Sequence, residues 1–166
     1  MAPTARAGDR DDFATWYGLH YGRVVTTLGF VVGDAGLAEE ATAEAFARAL
    51  ARWPEVRLKA SPAAWVYTVA LNEVRTRLRR LRLERRHIAR ARLGHHPPPS
   101  DPDPQLWAAV AQLAPRARQA VALRYVADLS EAEVAEAMGI SRGTVAATLS
   151  KARTRLAELL DTRNTP

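Results

Sequence analysis

Arginines spaced three and four residues apart form the most distinctive chemical pattern in this chain of 166 residues. At about 100° per residue, this spacing places them along one face of a single helix. The members of this arginine stripe are Arg75, Arg79, Arg82 and Arg86. Guanidinium groups bind phosphate through two parallel hydrogen bonds, so such a face is suited to lie along a nucleic-acid backbone. The alternative is a solvated surface, although exposed helix faces usually mix both signs of charge.

An apolar stripe runs along a neighbouring face of the same segment. Its members are Tyr67, Leu71, Val74, Leu78 and Leu81. The two stripes together predict one long helix that buries one side and exposes arginine on the next. Trp65 near its start is expected in the core, with stacking on unpaired bases as the alternative.

The positive charge of the chain is concentrated in this segment. The formal net charge is +6, yet residues 72–92 hold nine arginines and two glutamates, or +7, so the remainder sums to −1. A second excess of +3 lies in residues 141–163. All basic residues except Lys59 and Lys151 are arginine, which favours phosphate and base-edge contacts. A GC-rich genome would produce the same arginine bias.

A second nucleic-acid pattern lies in "LSEAEVAEAMGISRGTVAATLSKAR", Leu129–Arg153. Two short helical segments flank a tight turn that is set by Ala135, Gly139 and Val145. This arrangement predicts a helix-turn-helix, whose second helix often enters a DNA groove.

The last helix also divides into two stripes. The apolar stripe consists of Val145, Leu149, Ala152 and Leu156. The polar stripe consists of Thr144, Thr148, Lys151 and Arg155, with Arg142 in the first turn. Short hydroxyl side chains followed by cations suit a helix that enters the major groove and also contacts phosphates. A plain amphipathic surface helix is the alternative.

No residue pattern supports catalysis. The chain has no cysteine, which excludes disulfides, thiol chemistry and cysteine-bound zinc. It also lacks a glycine-rich phosphate loop and a nucleophile elbow. Glu40 and Glu44 share a helix face without a histidine at a partner spacing, and His95-His96 lies in a proline-rich segment, so metal binding is the weaker interpretation of both. We expect no enzymatic activity, no cofactor and no metal.

Helix start signals predict an all-α protein of two small domains. Three helices are predicted first: Phe13 to about Val32, Ala35 to about Trp53 with Asp34 as cap, and Pro62 to about Arg90 with Ser61 as cap. Four follow: Gln105–Leu113, one through about Ala127, one that opens with the capping box Ser130–Glu133, and one from Ser141 to about Leu160.

The segment "LGHHPPPSDPDP" separates the two domains, because five of its twelve residues are proline. The predicted boundaries are a flexible tail at 1–12, a first domain at 13–92, a stiff linker at 93–103, and a helix-turn-helix domain at 104–162. The sequence has no membrane-spanning run and no signal peptide, which predicts a cytoplasmic protein.

Four stretches, in this order, resemble bacterial RNA polymerase sigma factors of the extracytoplasmic-function class. They are "GDAGLAEEATAEAFARAL", "SPAAWVYTVALNEVRTRLRR", "LAPRARQAVALRYVADLSEAEVAEAMGIS" and "RGTVAATLSKARTRL". Members of this class recognise the −35 and −10 promoter elements with one helical domain each, and take the −10 element partly as single strand. The resemblance implies a factor that binds the polymerase core and directs promoter-specific transcription initiation.

The resemblance also implies roles for individual residues. At the −10 element, Asn72 and Thr76 would face the strand, with Arg75, Arg79 and Arg80 on phosphates. The loop Pro54–Ala60, including Arg57 and Lys59, matches the family's loop that accepts a flipped-out base. The residues matched to the −35 element are Arg142, Thr144, Thr148, Lys151 and Arg155.

The implied partners are the polymerase core and promoter DNA. The residues matched to the helix that docks on the clamp of the β′ subunit are Glu39, Glu40, Glu44, Phe46 and Arg48. The flap of the β subunit and a separate anti-sigma factor are further implied partners. Three positions depart from the family pattern: Ala43 replaces a usual glutamine, and Ala146 and Thr148 replace frequent lysine or arginine. We therefore expect weaker −35 readout and more reliance on the −10 element.

Two other classes of function remain open from the residues alone. A stand-alone helix-turn-helix regulator usually dimerises to match two half-sites, and no further helix is left over for a dimer contact. An interaction protein that occupies a partner without reading DNA would not depend on the basic residues of the last helix.

Overall fold

The computed structural model describes the backbone of residues 7–87 and 104–161, with side chains described from 11 to 81 and from 104 to 161. This part of the chain is helical and contains no strand, which confirms the all-α prediction. The helices are α1 (Ala7–Val32), α2 (Ala35–Ala51), α3 (Trp53–Val56), α4 (Pro62–His87), α5 (Pro104–Val110), α6 (Pro115–Val121), α7 (Glu131–Met138) and α8 (Arg142–Asp161). The predicted linker at 93–103 lies outside the described residues.

The connection between α1 and α2 is set by Gly33 and Asp34. Gly33 has a φ of +72°, a left-handed conformation that glycine adopts at little cost. The Asp34 carboxylate accepts a hydrogen bond from the Leu37 amide at 2.9 Å and so caps α2, as predicted. The predicted start of α1 at Phe13 is wrong, because the helix already begins at Ala7. The acidic residues in this stretch favour the first turns of a helix.

The segment Pro54–Ala60, predicted as a loop, is helical at its start. Its first residues belong to α3, and proline occupies the first turn, where no amide hydrogen bond is needed. Trp53 and Val56 are buried and anchor this turn in the core. The loop prediction is therefore wrong up to Val56 and holds for the residues that follow. Ser61 then caps α4 as predicted, because its hydroxyl accepts a hydrogen bond from the Ala64 amide at 3.2 Å.

The second half of the chain differs from the prediction at two helices. The helix predicted at Gln105–Leu113 is Pro104–Val110, so it ends three residues earlier. The helix predicted to run through Ala127 is α6 followed by one π-helical turn, Ala122–Val126. The amide of Ala127 bonds to the carbonyl of Ala122, which widens the last turn. The capping box of Ser130 and Glu133 is confirmed.

The turn between α7 and α8 is the one that the sequence predicts. Gly139 has a φ of +65° and ends α7 in the left-handed conformation. Val145 and Ala135 are buried on either side of this turn. Together, α7 and α8 form the predicted helix-turn-helix.

The two halves of the chain share one continuous apolar core. In the first half, α2 and α4 pack on α1, with Leu28, Tyr67 and Leu71 fully buried. In the second half, α5, α6 and α7 pack on α8. Between the halves, α7 packs on α4, and α1 packs on α6 and the π-helical turn. None of the helices in the described residues is long and apolar enough to span a lipid bilayer.

Candidate nucleic-acid interface

The solvent-facing side of α4 carries the polar residues that the sequence predicts for nucleic acid. These residues are Asn72, Arg75, Thr76, Arg79 and Arg80, and all are exposed. Arg75 Nη1 donates to Asn72 Oδ1 at 3.0 Å, and the Thr76 hydroxyl donates to the Asn72 carbonyl at 2.9 Å. These bonds lie along the helix and hold the side chains side by side. The side chains of Arg82 and Arg86, the remainder of the predicted stripe, lie outside the described ones.

Arg77 shows that the arginines of α4 do not all serve this face. It is half-buried and bonds to Glu73 through Nε at 3.0 Å, and to Glu40 of α2 through Nη1. Hydrogen bonding to Glu73, together with the charges of both glutamates, raises the pKa of Arg77 despite its partial burial. Arg77 therefore ties α4 to α2, while Arg75 and Arg79 point away from that contact.

The loop between α3 and α4 presents two cations and one leucine. Arg57 and Lys59 are exposed, and Leu58 between them is 80% exposed. The backbone is held in place, because the Arg57 amide bonds to the Trp53 carbonyl at 3.0 Å and the Lys59 amide to the Val56 carbonyl at 3.1 Å. Sequence reasoning named the two cations and missed Leu58. The sequence feature that could have identified Leu58 is an apolar residue between two cations in a segment predicted as a loop.

The polar stripe of α8 faces solvent, and its apolar stripe is buried except for Leu156, which is half-buried. Val145, Leu149 and Ala152 are buried, as predicted. Of the predicted DNA contacts, Arg142, Thr144, Lys151 and Arg155 are exposed and Thr148 is half-buried. α8 therefore turns a basic face outward on the side opposite its packing contacts.

The N-terminal turn of α8 is ordered by short hydroxyl side chains. The Ser141 hydroxyl accepts a hydrogen bond from the Thr144 amide at 3.1 Å and lies 2.8 Å from the Thr144 hydroxyl. The Thr148 hydroxyl donates to the Thr144 carbonyl at 2.7 Å, so it is left with acceptor capacity toward a base edge. Two cations make surface ion pairs, Arg142 with Glu131 at 3.7 Å and Arg155 with Glu158 at 2.8 Å. Such pairs are weak and exchange readily for phosphate contacts.

The carboxylates of α2 lie on its solvent side and are partly paired. Glu44 bonds to Arg48 at 2.7 Å, and Arg48 continues to Glu73 of α4 at 3.2 Å. Glu39 and Glu40 are exposed. Phe46, predicted as part of the same docking set, is 2% exposed and belongs to the core.

An open apolar groove lies between α1 and α2 beside these carboxylates. Its volume is about 220 Å³, and it is lined by Phe13, Tyr17, Tyr21, Ala43, Phe46, Ala47 and Leu50. Tyr17 and Tyr21 lie with ring centroids 4.8 Å apart, and each lies against Phe46. Ala43 thus stands in the groove, where the glutamine usual in the family would occupy space. Tyr17, four residues after Phe13 and four before Tyr21, was missed from sequence although its spacing marks the same face.

Comparison with known families identifies the two halves of the chain. Residues 10–84 match the family of sigma-70 region 2, and residues 104–156 match that of sigma-70 region 4. The RNA polymerase sigma-E factor of Streptomyces antibioticus is 32% identical over 137 residues, which covers 81% of this chain and 76% of that protein. The chain belongs to the extracytoplasmic-function class of sigma-70 factors. Region 2 then corresponds to α1–α4, and region 4 to α5–α8.

A second similar protein is the sigma factor BldN of Streptomyces coelicolor, described as an extracytoplasmic-function RNA polymerase sigma factor. It is 29% identical over 170 aligned positions. The match covers 96% of this chain but only 64% of BldN, so this sigma-70 family member spans less than two thirds of that relative.

Solved structures of other sigma factors share the fold. RpoE of Bartonella quintana, in complex with the anti-sigma factor NepR, superposes with a TM-score of 0.76 at 22% identity, covering 90% of this chain and 97% of RpoE. CnrH, in complex with the cytosolic domain of CnrY, gives a TM-score of 0.62 at 19% identity and covers 92% and 90% of the two chains. At these identities the likeness establishes the fold of regions 2 and 4.

Among the described residues of this sigma-70 family member, no group of three or more histidine, cysteine or acidic side chains could hold a metal ion. The candidate cluster around His95-His96 lies outside the described residues.

Proposed function

We propose that this chain binds RNA polymerase core and directs promoter-specific transcription initiation by recognising the −10 and −35 elements. The observation that carries the proposal is the presence of two exposed basic helix faces, one on α4 and one on α8, each on a helix whose apolar stripe packs into the core. Membership of the sigma-70 family supports it. On this proposal the protein acts in the cytoplasm as a non-enzymatic initiation factor.

Region 2 would take the −10 element. Asn72 and Thr76 share the exposed side of α4 with Arg75 and Arg79, so groups that can contact bases lie next to groups that can bind phosphate. Arg57 and Lys59 in the loop after α3 would receive the displaced base. Leu58 supplies an apolar side chain in the same loop that can insert between two neighbouring bases.

Region 4 would take the −35 element through α8. Its first turn offers Arg142 and Thr144, and the next turns offer Thr148, Lys151 and Arg155. Ala146 and Thr148 on this helix provide fewer strong base contacts than the lysine or arginine frequent at these positions in the family would. This composition supports a larger share of promoter recognition for the −10 element.

The polymerase core would dock on α2. Glu39, Glu40, Glu44 and Arg48 form a charged border next to the apolar groove that contains Phe46 and Ala43. A helix of the β′ clamp with basic and apolar side chains would match both parts. The β flap would bind region 4, and an anti-sigma factor would compete for these surfaces.

The domain boundaries are part of the proposal. The matched families cover residues 10–84 and 104–156, and we place region 2 at 13–92, a connecting linker at 93–103 and region 4 at 104–162. Residues 1–12 would then be an N-terminal tail, of which 7–12 continue α1.

Run-off transcription with bacterial core polymerase tests the proposal. The core enzyme is incubated with and without the protein on genomic fragments, and the new transcripts are mapped. We expect transcripts that start a fixed distance below a shared two-part motif. Core binding without such transcripts would favour an interaction protein, and a palindromic footprint without core binding would favour a stand-alone regulator.

Two sets of alanine substitutions distinguish the contribution of the −10 element from that of the −35 element in the same assay. Replacing Arg75 and Arg79 with alanine is expected to reduce transcription from every promoter, because both bind phosphate. Replacing Lys151 and Arg155 with alanine is expected to reduce it less. If base changes at −35 abolished transcription while changes at −10 did not, the proposed division of recognition would be wrong.

A further inference from the structure

We propose that Glu73 of α4 is a positioning residue for docking of the polymerase core. It holds Arg48 and Arg77 away from full pairing with two carboxylates of α2, and so keeps those carboxylates available to a cationic partner. The two carboxylates are Glu40 and Glu44. The proposal rests on the proposed function and deepens it, because Glu73 lies on the helix that would read the −10 element and outside the docking set on α2.

Two ion pairs of the same kind lie on α2 and α4. On α2, Glu44 Oε1 accepts from Arg48 Nε at 2.7 Å. On α4, Glu73 Oε1 accepts from Arg77 Nε at 3.0 Å. In both pairs the glutamate precedes the arginine by four residues, which is the more stabilising order on a helix. Because α2 packs against α4, each arginine also reaches a carboxylate of the other helix.

Each arginine divides its donors between the two helices. Arg48 donates from Nη2 to Glu73 Oε2 at 3.2 Å, so Glu73 accepts from Arg48 through one oxygen and from Arg77 through the other. Arg77 donates from Nη1 to Oε2 of Glu40. Glu73 is therefore the central member of an α2–α4 charge network, which consists of Glu40, Glu44, Arg48, Glu73 and Arg77.

Glu73 is the sheltered carboxylate of this network, and the docking carboxylates are its exposed ones. The Glu73 side chain is 16% exposed, compared with 66% for Glu40 and 40% for Glu44. Val74 next to it is buried, which fixes the backbone of α4 at this point. Hydrogen bonding to Glu73 is also the largest cause that raises the pKa of Arg77. Glu73 thus anchors the network from its inner side.

Without Glu73, each guanidinium would be able to cover a docking carboxylate completely. Arginine binds a carboxylate most strongly through two parallel hydrogen bonds, one to each oxygen. Arg77 gives Glu40 one such bond, because its Nε is held by Glu73. Arg48 likewise gives one bond to Glu44 and one to Glu73. Within the described part of the chain, each docking carboxylate therefore keeps one oxygen for the cation of a partner.

The affinity for core polymerase, measured without DNA, tests the proposal. Full-length protein that carries a fluorescent label is titrated with bacterial core enzyme, as wild type and as Glu73→Gln. Glutamine keeps the size of the side chain and removes the charge that attracts both arginines. The matched control is Glu158→Gln, which makes the same substitution at a carboxylate that bonds to Arg155 at 2.8 Å in region 4. Circular dichroism and thermal unfolding show that each protein is folded.

We expect Glu73→Gln to weaken core binding by about tenfold, because two charged docking groups lose an accessible oxygen. The control should bind core within about twofold of the wild type, since an exposed ion pair contributes little. Equal affinity of Glu73→Gln and the wild type would overturn the proposal. Absence of core binding by the wild type would instead overturn the proposed function, and this proposal with it.

A second substitution separates positioning from a structural role. Glu73→Gln/Arg77→Gln removes the guanidinium that would cover Glu40 together with its anchor. We expect this double variant to bind core more tightly than Glu73→Gln. If Glu73 only held α2 and α4 together, loss of a second member of the network would weaken binding further. A double variant that binds no better than Glu73→Gln would therefore contradict the proposal.

Arg77→Gln alone covers the case in which Glu73→Gln fails to fold. This variant keeps Glu73 and uncovers Glu40, so we expect it to bind core at least as tightly as the wild type. Weaker binding by folded Arg77→Gln would show that the guanidinium assists docking, and it would overturn the proposal.

Discussion

Phe30 and Trp107 stack face to face with their ring centroids 3.6 Å apart, and they join the two halves of the chain. Each lies at the margin of its own half, Phe30 near the end of α1 and Trp107 in the short helix α5. The stack therefore stabilises the contact between the two halves as well as the core of each half.

Replacing Trp107 with alanine should weaken the coupling between the halves. The substitution removes a stacked, partly buried indole, and we expect the free energy of unfolding to fall by about 2 kcal/mol. Because the stack no longer joins the halves, urea unfolding followed by circular dichroism should broaden or divide into two transitions. The control is Trp107→Phe, which keeps a ring on Phe30 and should retain a single transition. An unchanged midpoint and slope for the alanine variant would refute the prediction.

We expect that position 139 requires glycine only because of its backbone conformation, and not because a larger side chain would clash. Its φ is +65°, and a Cβ added there would meet no atom within 4 Å. Gly139→Ala should therefore destabilise the protein by about 1 kcal/mol through backbone strain, without a steric clash. Gly18→Ala is the matched control, since it also has open space but lies inside α1. It should be neutral or stabilising by up to about 1 kcal/mol. Thermal unfolding of both variants measures the difference, and equal effects would exclude this explanation.

Arg79 should contribute to promoter binding through a phosphate. Removing one cation that binds a phosphate is expected to reduce the dependence of log affinity on log salt concentration by about 1 for duplex DNA and less for a single strand. Holoenzyme assembled with Arg79→Ala should therefore bind promoters more weakly and with a flatter salt dependence, whatever their sequence. Arg23→Ala, an exposed arginine on α1, serves as the control. A weaker affinity with an unchanged salt dependence would show that Arg79 acts in another way.

Leu58 should contribute to strand separation at the −10 element. It is 80% exposed and flanked by two cations, so an apolar side chain is available beside the proposed site of the displaced base. Leu58→Ala is expected to slow formation of the open complex on duplex templates and to act normally on templates with a premelted −10 element. Leu19→Ala, at a position that is 72% exposed on α1, is the control. Permanganate reactivity of unpaired thymines reports the open complex, and a defect that persists on the premelted template would point to a structural role.

Much of the fold follows from local signals in the sequence. Asp34, Ser61 and the pair of Ser130 and Glu133 mark helix starts because each satisfies backbone amides that nothing else in the helix can reach. Gly139 marks a helix end for an equally local reason. The arginine and apolar stripes of α4 separate at a helical period, and so the exposed positions of Arg75 and Arg79 could be predicted.

The features that were missed depend on contacts distant in sequence. α3 exists because Trp53 and Val56 are buried, and the tryptophan also donates from Nε1 to Asp12 on α1 at 3.2 Å. Phe30 and Trp107 look like ordinary core residues in the sequence, since nothing local says that each contacts the other half. The same holds for Arg77, whose partner Glu40 lies 37 residues earlier in the chain.

Tyr67 should make the stability of the protein depend on pH in the alkaline range. Burial raises its pKa to about 12, although a hydrogen bond with Thr27 and the charge of Arg23 act in the opposite direction. In the unfolded chain a tyrosine ionises near pH 10, so between about pH 10 and pH 12 the unfolded state loses a proton that the folded state keeps. The free energy of unfolding should then be unaffected by this group below about pH 10 and fall above it, by up to about 1.4 kcal/mol per pH unit.

Denaturant unfolding of the wild type and of Tyr67→Phe, from about pH 9 to pH 11, measures the contribution of Tyr67. The Thr27 hydroxyl bonds to the Arg23 carbonyl at 2.8 Å and lies 3.2 Å from the Tyr67 hydroxyl. Thr27 therefore keeps its own donor satisfied when Tyr67 becomes phenylalanine, and the variant should fold. The variant is expected to lose stability less steeply with pH, whereas Tyr125→Phe, at a half-exposed position, should follow the wild type. Parallel curves for the wild type and Tyr67→Phe would show that ionisation of Tyr67 is not coupled to folding.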